Sequence, residues 1–208
     1  METERIPLFP LEVVLFPSTP LPLHIFEPRY KLMIQRCLDQ KKEFGVILAR
    51  QEGIAPVGCT AEILKVMKKY PDGKMDILTV GQDAYRVVQV FEEEPYLEGS
   101  VEILADDARE AAAETRTRLV ELYTECYTKV YGRAPEAPEK GADASLAYHI
   151  AGDLPLDLEI KQALLETRTE AERQTRLTRK LGEWLPKLAH LDRMRAKAGG
   201  NGHGLPHA

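Results

Sequence analysis

Prolines crowd the start of this chain and restrict how it can fold. Five prolines fall within residues 6–22, and the last three of them are Pro17, Pro20 and Pro22. Because a proline lacks a backbone N–H, it cannot donate to a sheet ladder and is tolerated mainly at strand ends and edges. We therefore expect the first strand to be brief, as over Glu12 to Phe16, with extended connections around it.

A helix signal follows the prolines. Pro28 has a preset φ that suits the first helical turn, and Glu27 places negative charge at the positive end of the helix dipole. Apolar side chains then recur at helical spacing and predict one buried face, formed by Tyr30, Met33, Ile34, Cys37 and Leu38. The run FGVIL that comes next is typical of a buried strand.

Between residues 57 and 104 the apolar period shortens to that of strands. Residues 61–70 and 75–80 flank the tetrapeptide PDGK, which predicts a hairpin because proline fits a turn corner and glycine tolerates positive φ. The stretch around Tyr85 has apolar side chains on both faces, which predicts a central strand. Five or six short strands with few helices favour a curled sheet or partly closed barrel over a parallel α/β sheet.

The second half of the chain is patterned as helices. Asp106 and Asp107 are expected to cap or charge the start of the first one, and Ser145 is expected to cap a later, short one. The TEAE run from Thr169 fits a capping box at the start of the final helix. Pro186 is expected to kink that helix or divide it in two, because it removes one hydrogen bond.

Several segments together resemble a known family. The string PLFPLEVVLFP, followed by LPLHIFEPRY and FGVIL, is similar to the N-terminal substrate-binding domain of Lon-type ATP-dependent proteases, especially to short bacterial proteins that carry this domain alone. TVGQDAYRVVQV and PYLEGSVEIL resemble later β-segments of the family, and ASLAYHIAGDLPLDLEIKQALLE resembles its helical part. The resemblance implies an α+β fold, with an N-terminal PUA-like β pseudo-barrel followed by a C-terminal helical bundle.

The resemblance also implies how the chain divides and what kind of role it has. We expect a β-rich pseudo-barrel over residues 1–106, a helical subdomain over 107–198 and a disordered tail over 199–208, where GGNGHGLPHA has nothing to bury. The family implies a role in engaging polypeptides or partner proteins. It does not imply proteolysis.

Motifs of the enzymatic parts of Lon proteases do not occur in this sequence. It has no GxxxxGK[ST] phosphate loop, and none of its three serines, Ser18, Ser100 and Ser145, stands in a GxSxG elbow. No segment matches the serine-lysine peptidase domain, the histidines are isolated, and no cysteine spacing suggests zinc. We therefore expect no catalytic, cofactor-binding or metal-binding residues, and predict a non-enzymatic binding module, such as an adaptor in protein quality control.

Four residues around the start of the predicted helix are the candidates for contacting a partner: Leu23, Phe26, Arg29 and Tyr30. In one interpretation Phe26 and Tyr30 fill the core and Arg29 pairs with a carboxylate. In the other, Leu23 to Phe26 and Arg29 line a surface groove between barrel and helices, beside a strand edge that is open to an added strand. Such a groove would accept unfolded or extended polypeptides, or a protein partner.

Charge supplies an alternative function. PUA-like barrels often belong to RNA-associated proteins, and residues 161–197 hold ten Lys or Arg against five Asp or Glu, so the last helix could contact phosphates. The whole chain nevertheless has a net charge of −5, and residues 1–104 hold 12 basic and 16 acidic side chains without aromatic-basic interleaving. These observations favour a polypeptide ligand over nucleic acid.

Composition and cysteine spacing predict a cytoplasmic protein. A hydrophobic content of 44% excludes general disorder, and no apolar run approaches the ~20 residues needed to cross a bilayer. The acidic start METERIP lacks a positively charged leader. The three cysteines, Cys37, Cys59 and Cys126, lie far apart and are expected to be reduced, buried thiols.

Overall fold

A computed structural model describes residues 3–109, 111–136 and 145–200. Within these residues lie seven strands and five helices. In chain order they are β1 (Glu4–Leu11), β2 (Pro20–Ile25), α1 (Pro28–Gln40), β3 (Phe44–Arg50), β4 (Gly53–Ile54), β5 (Val57–Lys69), β6 (Met75–Phe91), β7 (Leu97–Ile103), α2 (Ala113–Tyr131), α3 (Leu146–Asp153), α4 (Leu158–Glu166) and α5 (Glu170–Gly200). The predicted α+β class, β-rich first and helical afterwards, is confirmed.

Five strands close into a ring in the order β1, β7, β6, β5 and β3. Neighbours along this order are antiparallel, and parallel pairing between β1 and β3 completes the ring. The buried ring of Tyr85 fits between strands because Gly45 and Gly58 leave room for it: a Cβ at either glycine would lie 2.4 Å from the Tyr85 hydroxyl. That hydroxyl donates to the carbonyl of Val46 at 3.2 Å. As predicted, Tyr85 lies on a central strand, β6.

The strands β5 and β6 continue past the ring as a long hairpin. Its turn contains Gly73 at φ +78°, so the predicted hairpin and its glycine are confirmed. The strand β2 pairs with residues 75–80 of β6 on the side opposite β5. We call these three segments, β2, residues 75–80 of β6 and residues 62–69 of β5, the outlying sheet.

The predicted strand over Glu12 to Phe16 is wrong, because the first two strands are β1 and β2 and both contain prolines. The first part of β1, which includes Pro7, pairs with β7, and the last part, which includes Pro10, pairs with β3. Each of these prolines therefore has a neighbouring strand on one side only. Pro20 and Pro22 lie on β2, which pairs with β6 alone. Where the nitrogen of a proline faces away from the partner strand, its missing hydrogen removes no hydrogen bond from the sheet.

One large cluster of buried side chains takes in strands and all five helices. The helix α1 contributes four of the predicted residues, Tyr30, Met33, Ile34 and Cys37, while Leu38 is partly buried against the same cluster. The proposed boundary near residue 106 falls between β7 and α2, and this cluster includes residues from both sides of it. The predicted tail lies, from residue 201 onward, outside the described residues.

Arg173 links the end of the strand region to the helices. Its guanidinium is fully buried on α5, donates two 2.7 Å hydrogen bonds to the carboxylate of Asp106 and one of 2.9 Å to Glu170, and stacks 4.2 Å above the ring of Tyr148. Burial alone would lower the pKa of Arg173, but Asp106 and the other partners raise it on balance. Arg173 therefore stays charged within the core.

The ends of the helices confirm some predictions and correct others. Ser145 caps α3 by accepting from the amide of Tyr148 at 3.1 Å. Asp106 and Asp107 do not begin a helix, because Asp106 accepts hydrogen bonds from Arg168 and Arg173 and α2 begins only at Ala113. Pro186 does not divide α5, which continues to Gly200.

The cysteine prediction is confirmed. Cys37, Cys59 and Cys126 are all buried and none forms a disulfide. Burial raises the pKa of Cys37 and that of Cys126 to about 11, so neither thiol is a ready nucleophile at neutral pH.

Candidate functional site

The outlying sheet has one face toward the core and one toward solvent. Leu23 pairs with Ile77 and Ile25 with Met75, and these side chains belong to the inner face, where Ile25, Met75 and Ile77 are buried. Side chains alternate along a strand, so the next residues form the outer face. They are Pro20, Pro22, His24, Asp76, Leu78 and Val80, with Glu62, Lys65 and Lys68 opposite them on β5.

Phe26 continues this outer face beyond the end of β2. Its side chain is 55% exposed, although phenylalanine is among the residues that gain most from burial. Its ring stacks on that of His24, with 5.9 Å between the centroids. We call Pro20, Pro22, Phe26, Leu78 and Val80 the outer-face patch.

A small polar network lies next to the ring on which Phe26 stacks. Nδ1 of His24 lies 2.6 Å from one oxygen of Asp76, and the hydroxyl of Tyr70 donates to the other oxygen at 2.8 Å. His24, and then Tyr70, lower the pKa of Asp76 below its usual value. The network restrains the imidazole, which therefore offers Phe26 a fixed neighbour.

Arg29 and Tyr30 lie at a different place, on the first turn of α1. The guanidinium of Arg29 stacks 4.7 Å above the ring of Tyr30 and bonds to Glu27. Both residues line a cleft of about 490 Å³, together with Pro10, Glu92, Glu94, Pro95, Tyr96 and Leu97. Tyr30 is only 7% exposed, and burial raises the pKa of its hydroxyl.

The structure thus separates the four predicted residues. Phe26 and Arg29 present their side chains to solvent, whereas Tyr30 is buried and Leu23 is half-buried on the inner face. None of the four lines the cleft that residues 14–21 form with the C-terminal helices. Their role in binding stays a prediction, and among them only Phe26 and Arg29 are placed to reach a partner without rearrangement.

The edges of the outlying sheet are poorly suited to an added strand. On the free side of β2, Pro20 and Pro22 lack the N–H groups that an incoming strand would need. On β5, the register is interrupted twice within residues 62–69, and three lysines lie in the same stretch. Bulges and lysines are common devices that prevent strand addition. A ligand of this sheet therefore meets its outer face rather than its edges.

Sequence reasoning missed four of the five residues in the outer-face patch. In the sequence, Pro20 and Pro22 indicate an extended connection, and Leu78 and Val80 belong to a predicted hairpin. The face they share exists only because β2 pairs with β6, more than 50 residues further along the chain. Alternation of Leu21, Leu23 and Ile25 with the prolines was the available signal.

A second cleft, of about 480 Å³, lies between the strand region and the helices. Residues 14–21 form one wall, and Ser145, His149, Gly152, Asp153 and Lys161 line the other. The hydroxyl of Tyr123 donates to Asp153 at 2.6 Å, and burial followed by this carboxylate raises the pKa of Tyr123. Burial lowers the pKa of Lys161.

Several cations of residues 161–197 pair with carboxylates or line a cleft. Arg168 and Arg173 bond to Asp106, while Arg176 pairs with Glu172 and Lys180 with Glu183. Lys161 lines the cleft described above. Half of the ten cations are thus already engaged or turned toward the protein, which weakens the case for phosphate contacts along this helix.

The described residues contain no cluster typical of a metal centre. Ser145 serves as a helix cap and also bonds to Glu170. Nowhere in residues 3–109, 111–136 and 145–200 do three His, Cys, Asp or Glu side chains converge in a way that could hold a metal ion. In the same part of the chain, every helix is too short or too polar to cross a membrane.

Solved structures share this architecture. The Lon N-terminal domain protein from Xanthomonas campestris aligns with a TM-score of 0.68 at 24% identity, over 88% of this chain and 99% of that one. The N-terminal domain of Lon protease from the Mycobacterium avium complex aligns with a TM-score of 0.61 at 17% identity, over 88% and 98%. At such identities these matches show the fold, which is that of a Lon N-terminal domain.

Sequence comparisons give the family. The family model described as the ATP-dependent protease La (LON) substrate-binding domain matches residues 5–182. Lon protease 2 of Herpetosiphon aurantiacus is 31% identical over 191 residues, and Lon protease of Cytophaga hutchinsonii is 24% identical over 204 residues. The chain belongs to the Lon substrate-binding domain family. These two alignments include 85% and 90% of this chain but only 23% and 24% of the length of the relatives.

Proposed function

We propose that this chain is a non-enzymatic polypeptide-binding module that holds extended, apolar segments of unfolded proteins on the outer-face patch. The exposure of Phe26, at 55%, is the observation that carries the proposal. Apolar side chains that a fold leaves exposed on one face can mark an interaction site, and on this face the His24–Asp76 pair lies between Phe26 and the other four residues of the patch. Membership of a substrate-binding domain family supports the same reading.

The geometry favours recognition through side chains. Pro20 and Pro22 stiffen one border of the patch, and the aromatic ring of Phe26 rises at its end. Because the sheet edges disfavour strand addition, main-chain pairing contributes little, and apolar side chains of the ligand supply the affinity. Such binding is weak and tolerant of sequence, as suits an adaptor in protein quality control.

Arg29 extends the proposed surface. Its guanidinium stays exposed beside Glu27 at the start of α1, three residues after Phe26. A carboxylate of the bound polypeptide could exchange with Glu27 as its partner. A reducing compartment such as the cytoplasm suits the three unpaired, buried cysteines and is the location that we propose.

Replacing Phe26 with serine tests the proposal. We expect the dissociation constant for a fluorescent, reduced and carboxymethylated lactalbumin to rise at least about tenfold, since burial of a phenylalanine side chain contributes roughly 1.5–3 kcal/mol. Fluorescence anisotropy measures this. The double variant Phe26→Ser, Arg29→Ser is expected to bind more weakly still.

Val88→Ser is the matched control, because Val88 is 60% exposed on β6 but lies outside the outer-face patch. It is expected to bind like the unaltered protein. Unchanged binding by the double variant would remove Phe26 and Arg29 from the binding surface. An equal loss with Val88→Ser would indicate nonspecific adhesion instead.

A further inference from the structure

The cleft between the strand region and the helices is lined by Lys161 and His149, whose ammonium and Nε2 form no hydrogen bond with the described residues. Its first wall, residues 14–21, is held in place by backbone hydrogen bonds between Gly81 and two residues of the wall, Ser18 at 2.8 Å and Thr19 at 3.0 Å. The ring of Phe16 stacks on Tyr148 of α3, with 4.9 Å between centroids. The opening of about 480 Å³ is therefore fixed on both sides.

Lys161 is the first of these groups. It is half-buried on α4 and lines the cleft, and among the described residues its ammonium has no hydrogen bond or ion pair. Burial lowers the pKa of this amine, and the carboxylate of Asp153, which lines the same cleft, offsets only part of that effect. An anion in the cleft would give the ammonium a closer partner.

His149 is the second group. Its Nε2 atom is buried and makes no hydrogen bond within the described residues, since the nearest carboxylate oxygen, on Asp153, lies 3.6 Å away. Buried polar atoms nearly always have partners, so an exception at a cleft calls for an explanation. Asp153 accepts from Tyr123 and also lies within ion-pair distance of Nε2 when the imidazole is protonated, so Lys161 is the group that lacks a close acceptor.

The remaining lining of the cleft is largely apolar. Val14, Leu15, Phe16, Pro17, Pro20 and Leu21 supply it. On the opposite wall Gly152 leaves a gap, because a Cβ there would touch only Thr19, at 3.5 Å. An apolar lining with an ammonium fits a carboxylate joined to an apolar group.

We propose that this cleft binds a carboxylate borne by an apolar group, with Lys161 as the counter-charge. Such a carboxylate comes either from the C-terminal end of a polypeptide or from a free organic acid. The site is separate from the outer-face patch around Phe26. A negative result for this site therefore does not count against the proposed function.

Amide NMR titration of the whole chain with N-acetyl-leucine and with N-acetyl-leucinamide tests the proposal. The two probes differ only in the carboxylate. We expect the acid to shift the amide signals of α3 and α4 and to bind at least about tenfold more tightly than the amide, because a hydrogen bond to a charged group contributes that much or more. Equal affinities, or no binding of the acid, would overturn the proposal.

Variants assign the effect to named residues. Lys161→Met is expected to abolish the preference for the acid, while Lys187→Met, an exposed lysine on α5, leaves it unchanged. Gly152→Leu fills the cleft and is expected to prevent binding of both probes. A preference that persists in Lys161→Met contradicts the assignment, and the same spectra report whether each variant is folded.

A short peptide that ends in leucine distinguishes the two sources. With a free C-terminus and with a C-terminal amide, it presents the same chemistry within a polypeptide. Tighter binding of the free-ended peptide than of N-acetyl-leucine identifies a chain terminus as the ligand. Weaker binding of the free-ended peptide than of N-acetyl-leucine identifies a small organic acid as the ligand. In both cases the free carboxylate must bind more tightly than the matching amide.

Discussion

Replacing Arg173 with methionine is expected to lower the free energy of unfolding by about 3–5 kcal/mol. The change leaves the carboxylate of Glu170, whose side chain is 3% exposed, without its cationic partner, and Asp106 loses two hydrogen bonds. The hydroxyl of Tyr148 and the carbonyl of Thr167 each lose a donor as well. Because domains are commonly stable by only about 5–15 kcal/mol, this loss is a large share of the total stability. Urea denaturation followed by circular dichroism measures the effect.

Arg176→Met is the matched control for this prediction. Arg176 lies on the same helix and pairs with Glu172 at 2.6 Å, but both side chains are about half exposed. An exposed pair of this spacing contributes only about 0.2–0.5 kcal/mol. Similar losses in the two variants would mean that the buried network around Arg173 does not hold the strand region to the helices.

Replacing Gly81 with alanine is expected to lower the free energy of unfolding by about 3 kcal/mol, near the upper end of overpacking costs. A Cβ at this position would lie 2.2 Å from the carbonyl oxygen of Phe16, which is backbone and cannot rotate away. Gly81 also exchanges hydrogen bonds with Ser18 and Thr19, so the new methyl group would push the wall of the second cleft off β6. Thermal and urea denaturation report the loss.

Gly182→Ala is expected to act in the opposite direction. Gly182 is exposed within α5, and a Cβ there would meet nothing within 4 Å. Alanine favours a helix interior over glycine by about 0.5–1 kcal/mol, so this variant should be more stable than the unaltered protein. If both alanines destabilise alike, the close approach of Gly81 to Phe16 is not the cause.

Local signals in the sequence were enough to predict α1 and the β5–β6 hairpin. Pro28 and the apolar spacing from Tyr30 define the helix within one stretch, and the PDGK turn fixes the hairpin between two adjacent strands. Each depends on residues that are close in sequence. Elements of this kind are predictable because their geometry is set by neighbours along the chain.

Features that depend on distant pairing were not predictable. Arg173 counted as one more cation of a basic helix, because nothing nearby in sequence reveals that Asp106 lies against it. Leu23 lines a surface groove in one of the two interpretations of the sequence, whereas the pairing of β2 with β6 places it on the inner face. The second cleft likewise joins residues 14–21 to Lys161, across more than 100 residues of chain.

Site-specific photocrosslinking tests the central claim most directly. With benzoylphenylalanine in place of Phe26, and separately in place of Val88, the two probes start from similar exposure, 55% and 60%. In the presence of reduced, carboxymethylated lactalbumin, the account predicts abundant crosslinks from position 26 and few from position 88. Equal yields from both positions, or crosslinks from position 88 alone, would show that polypeptides are held somewhere other than the outer-face patch.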